Sequence, residues 1–155
     1  MTEILRDWHA NRWIVAHQPT IEEISDLLAV ADRDLADAAV EGLSPDWRLG
    51  IAYNAALQLA ILALAATGYR PARERAHERA IQSLGQTVGT PQARVDVIDA
   101  VRRKRNQMSY ERAGTTSAAE ADEMYQAASA LRRDVVRWLL AEHTALYRRD
   151  RPNRE

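Results

Sequence analysis

Ser44-Pro45-Asp46-Trp47-Arg48-Leu49-Gly50-Ile51-Ala52-Tyr53-Asn54-Ala55-Ala56-Leu57-Gln58-Leu59-Ala60-Ile61-Leu62-Ala63-Leu64-Ala65-Ala66-Thr67-Gly68 is the stretch that decides the fold. Ser44 before Pro45 is a helix start: the hydroxyl caps a free amide, and proline suits the first helical position. Gly68 is a helix stop, because glycine enters the left-handed conformation at no steric cost. Between them the chain is apolar on nearly every side, which predicts a helix enclosed by others at the centre of a bundle. Its purest part, residues 51–66, is broken by Asn54 and Gln58 and is shorter than the ~20 residues of a bilayer span. It reads as a buried core helix, with no membrane partner expected.

On the N-terminal side, Thr20 and Glu23 have the spacing of a capping box. Ile21, Ile24, Leu27, Leu28, Ala31 and Leu35 then follow at amphipathic intervals, and Gly42 closes that helix. On the C-terminal side a third helix is expected over residues 72–88, ended by Gly89. Thr90-Pro91 opens a fourth that runs to Arg112 before Gly114, and Ser117 with Glu120 opens a long last helix. No segment alternates like a strand. About five helices with short connections predict an all-α, up-down bundle over residues 20–147. Residues 1–19 form an extension in which Ile4, Leu5, Trp8 and Trp13 could make a short helix across the bundle. Residues 148–155 are a basic, frayed tail.

The 155 residues are enough for one domain with a core. With no cysteine in the chain, disulfides, thiolate metal sites and cysteine nucleophiles are excluded. His9, His17, His77 and His143 lack metal-ligand spacing, and no metal or other cofactor is expected. The first twenty residues have no apolar run of the signal-peptide kind, so the expected location is the cytoplasm. The net charge of −1 hides an asymmetry. Residues 20–46 carry eight acids against Arg33, whereas residues 70–112 carry ten bases against five acids. A local basic patch can attract a polyanion even when the whole chain does not.

That patch peaks at Val101-Arg102-Arg103-Lys104-Arg105-Asn106-Gln107-Met108-Ser109-Tyr110-Glu111-Arg112. At about 100° per residue, Val95, Ile98, Val101 and Met108 define the apolar side of this helix. Arg103 and Lys104 read as surface bases. Arg105 falls inside the apolar stripe, Arg102 and Ser109 on its border, and Asn106 and Tyr110 further round. An arginine there needs an acid, a phosphate or a second subunit. The plainest partner is Asp99 or an acid on another helix.

Arg105-Asn106-x-x-x-Tyr110, late on a penultimate helix, resembles the signature region of the HEPN superfamily of small helical bundles. The resemblance runs over residues 20–147 and takes in Ile51-Ala52-Tyr53-Asn54-Ala55-Ala56-Leu57, Gly68-Tyr69-Arg70 and His77 in order. The family motif is an arginine, a polar residue, then a histidine five positions after the arginine; here Tyr110 stands in the histidine position. The resemblance implies metal-independent RNA cleavage in a composite site at a two-fold dimer interface, in a toxin–antitoxin or anti-phage setting. The implied partners are RNA, a second copy of the chain, and an antitoxin protein or nucleotidyltransferase. Such transferases modify a tyrosine near the motif, two residues beyond the histidine, so Tyr110 does not match that position.

Tyrosine, with a pKa of about 10, is a poor general base at neutral pH, so RNA contact and dimerisation carry over more readily than catalysis. The expected RNA-binding residues are Arg102, Arg103, Lys104, Arg105, Asn106 and Tyr110. Catalysis, if retained, would rest on Arg105, Asn106, Tyr110 and His77, with His77 replacing the motif histidine if its helix packs near Arg105. The competing expectation is a non-enzymatic interaction module of dimerisation or antitoxin type, in which the acidic first helix and the basic fourth helix meet across a subunit boundary. A small-ligand pocket near Tyr53 and Asn54 is a third. Asn54 and Gln58, one turn apart, suit an internal hydrogen-bond pair or the wall of a groove beside Arg105. Trp8, Trp13, Trp47 and Trp138 suit core or interface anchors.

Overall fold

The computed structural model describes residues 3–107 and 115–147. Within them the fold is all-α with one very small sheet: α1 (Glu3–Ala10), β1 (Ile14–Ala16), α2 (Ile21–Ala38), α3 (Pro45–Thr67), β2 (Tyr69–Pro71), α4 (Ala76–Gln82), α5 (Gln92–Gln107) and α6 (Ala118–Glu142). Single 3-10 turns follow α4 at Ser83–Gly85 and α6 at Thr144–Leu146.

α3 is the axis of the molecule. The Ser44 hydroxyl accepts from the Trp47 amide, Pro45 occupies the first turn, and Gly68 ends the helix at φ +105°. Leu59, Leu62, Ala52, Ala55, Ala56, Ala60 and Ala63 are fully buried on one broad side of the helix, Tyr53, Leu57 and Leu64 extend that side, and Gly50, Ile51, Asn54, Gln58 and Ile61 opposite it are half-buried. The alanines let α2 and α6, the two largest neighbours, approach closely, while α4 and α5 cover the remaining side. By length and composition α3 could cross a membrane, but 72% of its apolar window is buried inside the protein.

Both predicted caps exist, with one difference. At α6 the capping box is complete: Ser117 and Glu120 each accept the other's backbone amide. At α2, Thr20 Oγ1 accepts from the Glu23 amide, but the Glu23 carboxylate turns to His17 Nε2 at 2.7 and 2.8 Å instead of closing the box. A nearby imidazole competes better for a carboxylate than a single backbone amide.

Three expectations are corrected. α2 stops at Ala38, where Ala39 caps it, and Gly42 at φ +82° lies in the turn beyond. The helix expected over residues 72–88 is only one short helix, because Tyr69–Pro71 is extended and Arg75 takes a left-handed conformation that prevents an earlier start. Strands, expected nowhere, occur as an antiparallel pair in which Val15 faces Arg70. This pair holds the N-terminal segment in place. Leu5 and Ile14, fully buried, form a second small core with Leu64 and Tyr69, partly covered by Trp8.

At the end of α6 the His143 ring lies 4.5 Å from the Trp138 ring. Burial there lowers the histidine pKa, with Glu142 opposing. The unfolded chain, titrating near the ordinary value of about 6.5, therefore binds the proton more readily than the folded one. The stability this contributes is complete above about pH 6.5 and is lost as the pH falls through the folded-state value. NMR titration should place the His143 transition below 6.5; a transition above it would contradict the burial seen here.

Candidate functional site

α5 presents Val95, Ile98 and Val101 to the core, and its bases project from the flanks of that stripe. Each finds a different environment. Arg102 is the most enclosed, its side chain 12% exposed, with Nε donating to Asp99 at 2.8 Å and Nη2 3.4 Å from Glu78 of α4. These carboxylates, Asp99 foremost, raise its pKa further. Arg103 is 62% exposed and reaches the other Asp99 oxygen at 3.5 Å. Lys104 crosses to Glu120 at 2.6 Å. Hydrogen bonds from Lys104 and then from the Ser117 backbone lower the Glu120 pKa, so the cap of α6 and the basic run share one carboxylate.

Arg105 is different. Its Nη1 donates to the Gly50 carbonyl of α3 at 3.0 Å, and its guanidinium carbon lies 5.1 Å from the centre of the Tyr53 ring. The guanidinium packs directly on the α3 backbone here: a Cβ on Gly50 would meet Nη1 at 3.4 Å, an ordinary contact distance. Among the described residues no carboxylate lies within salt-bridge distance of Arg105, so Asp99, which holds Arg102 and Arg103, is not its partner. Tyr53 is 5% exposed and its hydroxyl has no hydrogen-bond partner among the described residues. Burial raises its pKa above the ordinary value, while Arg105 and then Arg102 pull it back.

The end of α5 is a ridge between two clefts. On one side Arg105 and Lys104 line a cleft of about 490 Å³ with Trp47, Ile51, Asn54 and Asp34. Here Gln58 donates to Asn54 at 3.3 Å and Asn54 donates to Asp34 at 2.6 Å, an internal chain of which Asn54 and Asp34 line the groove. On the other side Arg102 and Asn106 line a cleft of about 310 Å³ with His77, Arg73 and Arg75. The structure thus brings His77 to Asn106 and Arg102, and separates all three from the cleft of Arg105 and Lys104. Arg103 points to solvent. Tyr110, with Met108 and Ser109, lies outside the described residues.

The acidic α2 finds partners inside the chain: Asp32 takes Arg132 at 2.9 Å and Asp34 takes Arg33 at 3.0 Å. Asp34 had a readable signal, since it sits between the buried Ala31 and Ala38 at helical spacing, where an acid needs a partner. The exposed Trp47 had none, because a cap sequence does not tell on which side its third residue emerges. Among the described residues no three histidines or acids converge to hold a metal ion. Compared with protein-family models, with curated proteins and with solved structures, the chain finds no match.

Proposed function

We propose that this all-α protein binds RNA through the end of α5, in the manner of a HEPN-like domain. The observation that carries the reading is the environment of Arg105: in the run from Arg102 to Arg105 it alone has no carboxylate among the described residues, and a carbonyl and an aromatic face hold it in place. A guanidinium fixed without a counter-charge is suited to a phosphate. Arg102, Arg103, Lys104 and Asn106 add positive potential and hydrogen bonding around it, and Tyr110 belongs to the same motif. In a cleaving member Arg105 would stabilise charge on the scissile phosphate and Tyr110 of the same motif would carry the proton transfers; His77 lies across the ridge with Asn106 and Arg102, so it would touch the RNA away from that phosphate. A toxin–antitoxin or anti-phage role, a homodimer, and an antitoxin or nucleotidyltransferase partner belong to this proposal as the setting the resemblance implies.

The test is titration of a fluorescent single-stranded RNA at two salt concentrations, with cleavage followed in the presence of a chelator. For three phosphate contacts the affinity should fall about twentyfold between 50 and 200 mM salt, a slope of roughly −0.7 per phosphate. Chelator-resistant cleavage lost in Tyr110→Phe with binding kept would identify a ribonuclease. Binding without cleavage would identify a binding protein, and no binding at either salt would refute the reading.

One observation favours the interaction-module reading as a second. Trp47 is 68% exposed and Val40 59%, and both flank the turn between α2 and α3 beside the Arg105 cleft. Exposed tryptophan is a common interface anchor. If this face joins two copies, sedimentation should show a dimer that Trp47→Asp converts to a monomer; a wild-type monomer at all concentrations would exclude it.

A further inference from the structure

We infer that the RNA path does not end at His77 but continues across Arg75 into a second basic cleft against the small sheet. The inference rests on the RNA-binding reading and extends its footprint. Arg75 lines both cavities: the one with His77, Arg102 and Asn106, and a neighbouring one of about 490 Å³ walled by Arg12, Trp13 and Arg79. The two are therefore continuous over a single side chain.

Two of the cations in the second cleft, Arg12 and Arg79, have no acid paired with them among the described residues. The ion pairs along this surface are Arg75–Glu78 at 4.0 Å and Arg102 with Glu78 and Asp99; among the described residues none involves Arg12 or Arg79. Arg79 is held by aromatic rings instead, its guanidinium carbon 3.5 Å from the centre of Trp13 and 5.8 Å from that of Trp8. Stacking on a ring fixes the cation while leaving its charge uncompensated. Glu74 is the one acid in the cavity wall.

The backbone also commits to this arrangement. Arg12 and Arg75 are the non-glycine residues with positive φ among those described, at +63° and +57°. A left-handed conformation is strained for a residue with a side chain, so strain sits at two of the arginines that line the cleft. The turn carrying Arg12 is fixed by bonds from the Arg12 amide to the His9 carbonyl and from the Ala72 amide to the Trp13 carbonyl, which tie it to the chain just after β2. Three arginines against one lining acid, with an aromatic face beside them, form a track for a single-stranded polyanion.

The test compares oligouridylates of four and twelve nucleotides binding to wild-type protein, Arg12→Asn/Arg79→Gln, and Arg12→Asn alone. Asparagine tolerates positive φ, so the single variant keeps the turn even if the double variant fails to fold. The longer RNA should bind wild-type protein more tightly and with a steeper salt slope, by roughly 0.7 for each added phosphate. The double variant should weaken the longer RNA tenfold or more, the single variant about threefold, each by the loss of phosphate contacts. Binding of the shorter RNA should stay within about twofold. Equal effects on both lengths, or no effect of either variant, would overturn the track and leave RNA binding at α5 standing. If neither RNA binds wild-type protein, both readings fall. Competition by polyglutamate as effective as that by the longer RNA would overturn the track in favour of an acidic protein.

Discussion

Arg105→Ala should weaken RNA binding by about ten- to a hundredfold at moderate salt, with helix content unchanged. The magnitude follows from what is lost: a hydrogen bond to a charged group contributes about 1.5–3 kcal/mol, and each 1.4 kcal/mol is a factor of ten. The Gly50 carbonyl and the Tyr53 ring position the guanidinium before any ligand arrives, so little ordering entropy opposes the contact. Because the side chain is exposed, its removal should cost the fold no more than about 1 kcal/mol, the scale of one cation–π contact. Arg105→Lys should recover only part of the affinity, since an ammonium restores the charge but not the planar fork. The log–log salt slope should become shallower in the alanine variant by about 0.7, the signature of one lost phosphate contact. Wild-type affinity in Arg105→Ala would remove the basis for placing RNA at this ridge.

The largest effect on stability should come from α3. Leu62 is fully buried, and truncating it to alanine should cost about 2–5 kcal/mol through lost burial and the cavity left behind. For a chain of this size that is a fall in Tm of roughly 5–20 °C, at about 2–4 °C per kcal/mol. Ile61, the next residue along, is only partly buried, and the same truncation there should cost clearly less. Urea denaturation of the two variants checks the contrast. Equal losses would mean that α3 is not enclosed as the structure has it.

The two predictions differ in how far each could be read from the sequence. Ser44, Pro45 and Gly68 bracket α3 through their own backbone preferences, and its all-round apolar surface requires a central position whatever surrounds it. The Ser117–Glu120 box at α6 is equally local, closed by residues three apart. Capping and periodicity act over one or two turns, so they survive in the sequence as legible signals.

The small sheet does not. Three-residue strands are too short to show an alternation, and Ala16 meets Tyr69 only because α2 and α3 bring the ends of a long excursion together. Likewise Glu23 had the cap spacing, yet His17 took its carboxylate. At the candidate site the sequence by itself determined that Arg105 and Asn106, adjacent on a helix, point about 100° apart. Only the tertiary structure decided what each direction meets: α3, with Gly50 and Tyr53, on the Arg105 side, and α4, with His77, on the Asn106 side. It also decided that Asp99, Glu78 and Glu120 claim the neighbouring bases and that, among the described residues, Arg105 is held by a carbonyl and a ring. The physical reason is range: caps and helix faces arise from neighbours in the chain, whereas the partner of a long charged side chain depends on which helices lie side by side.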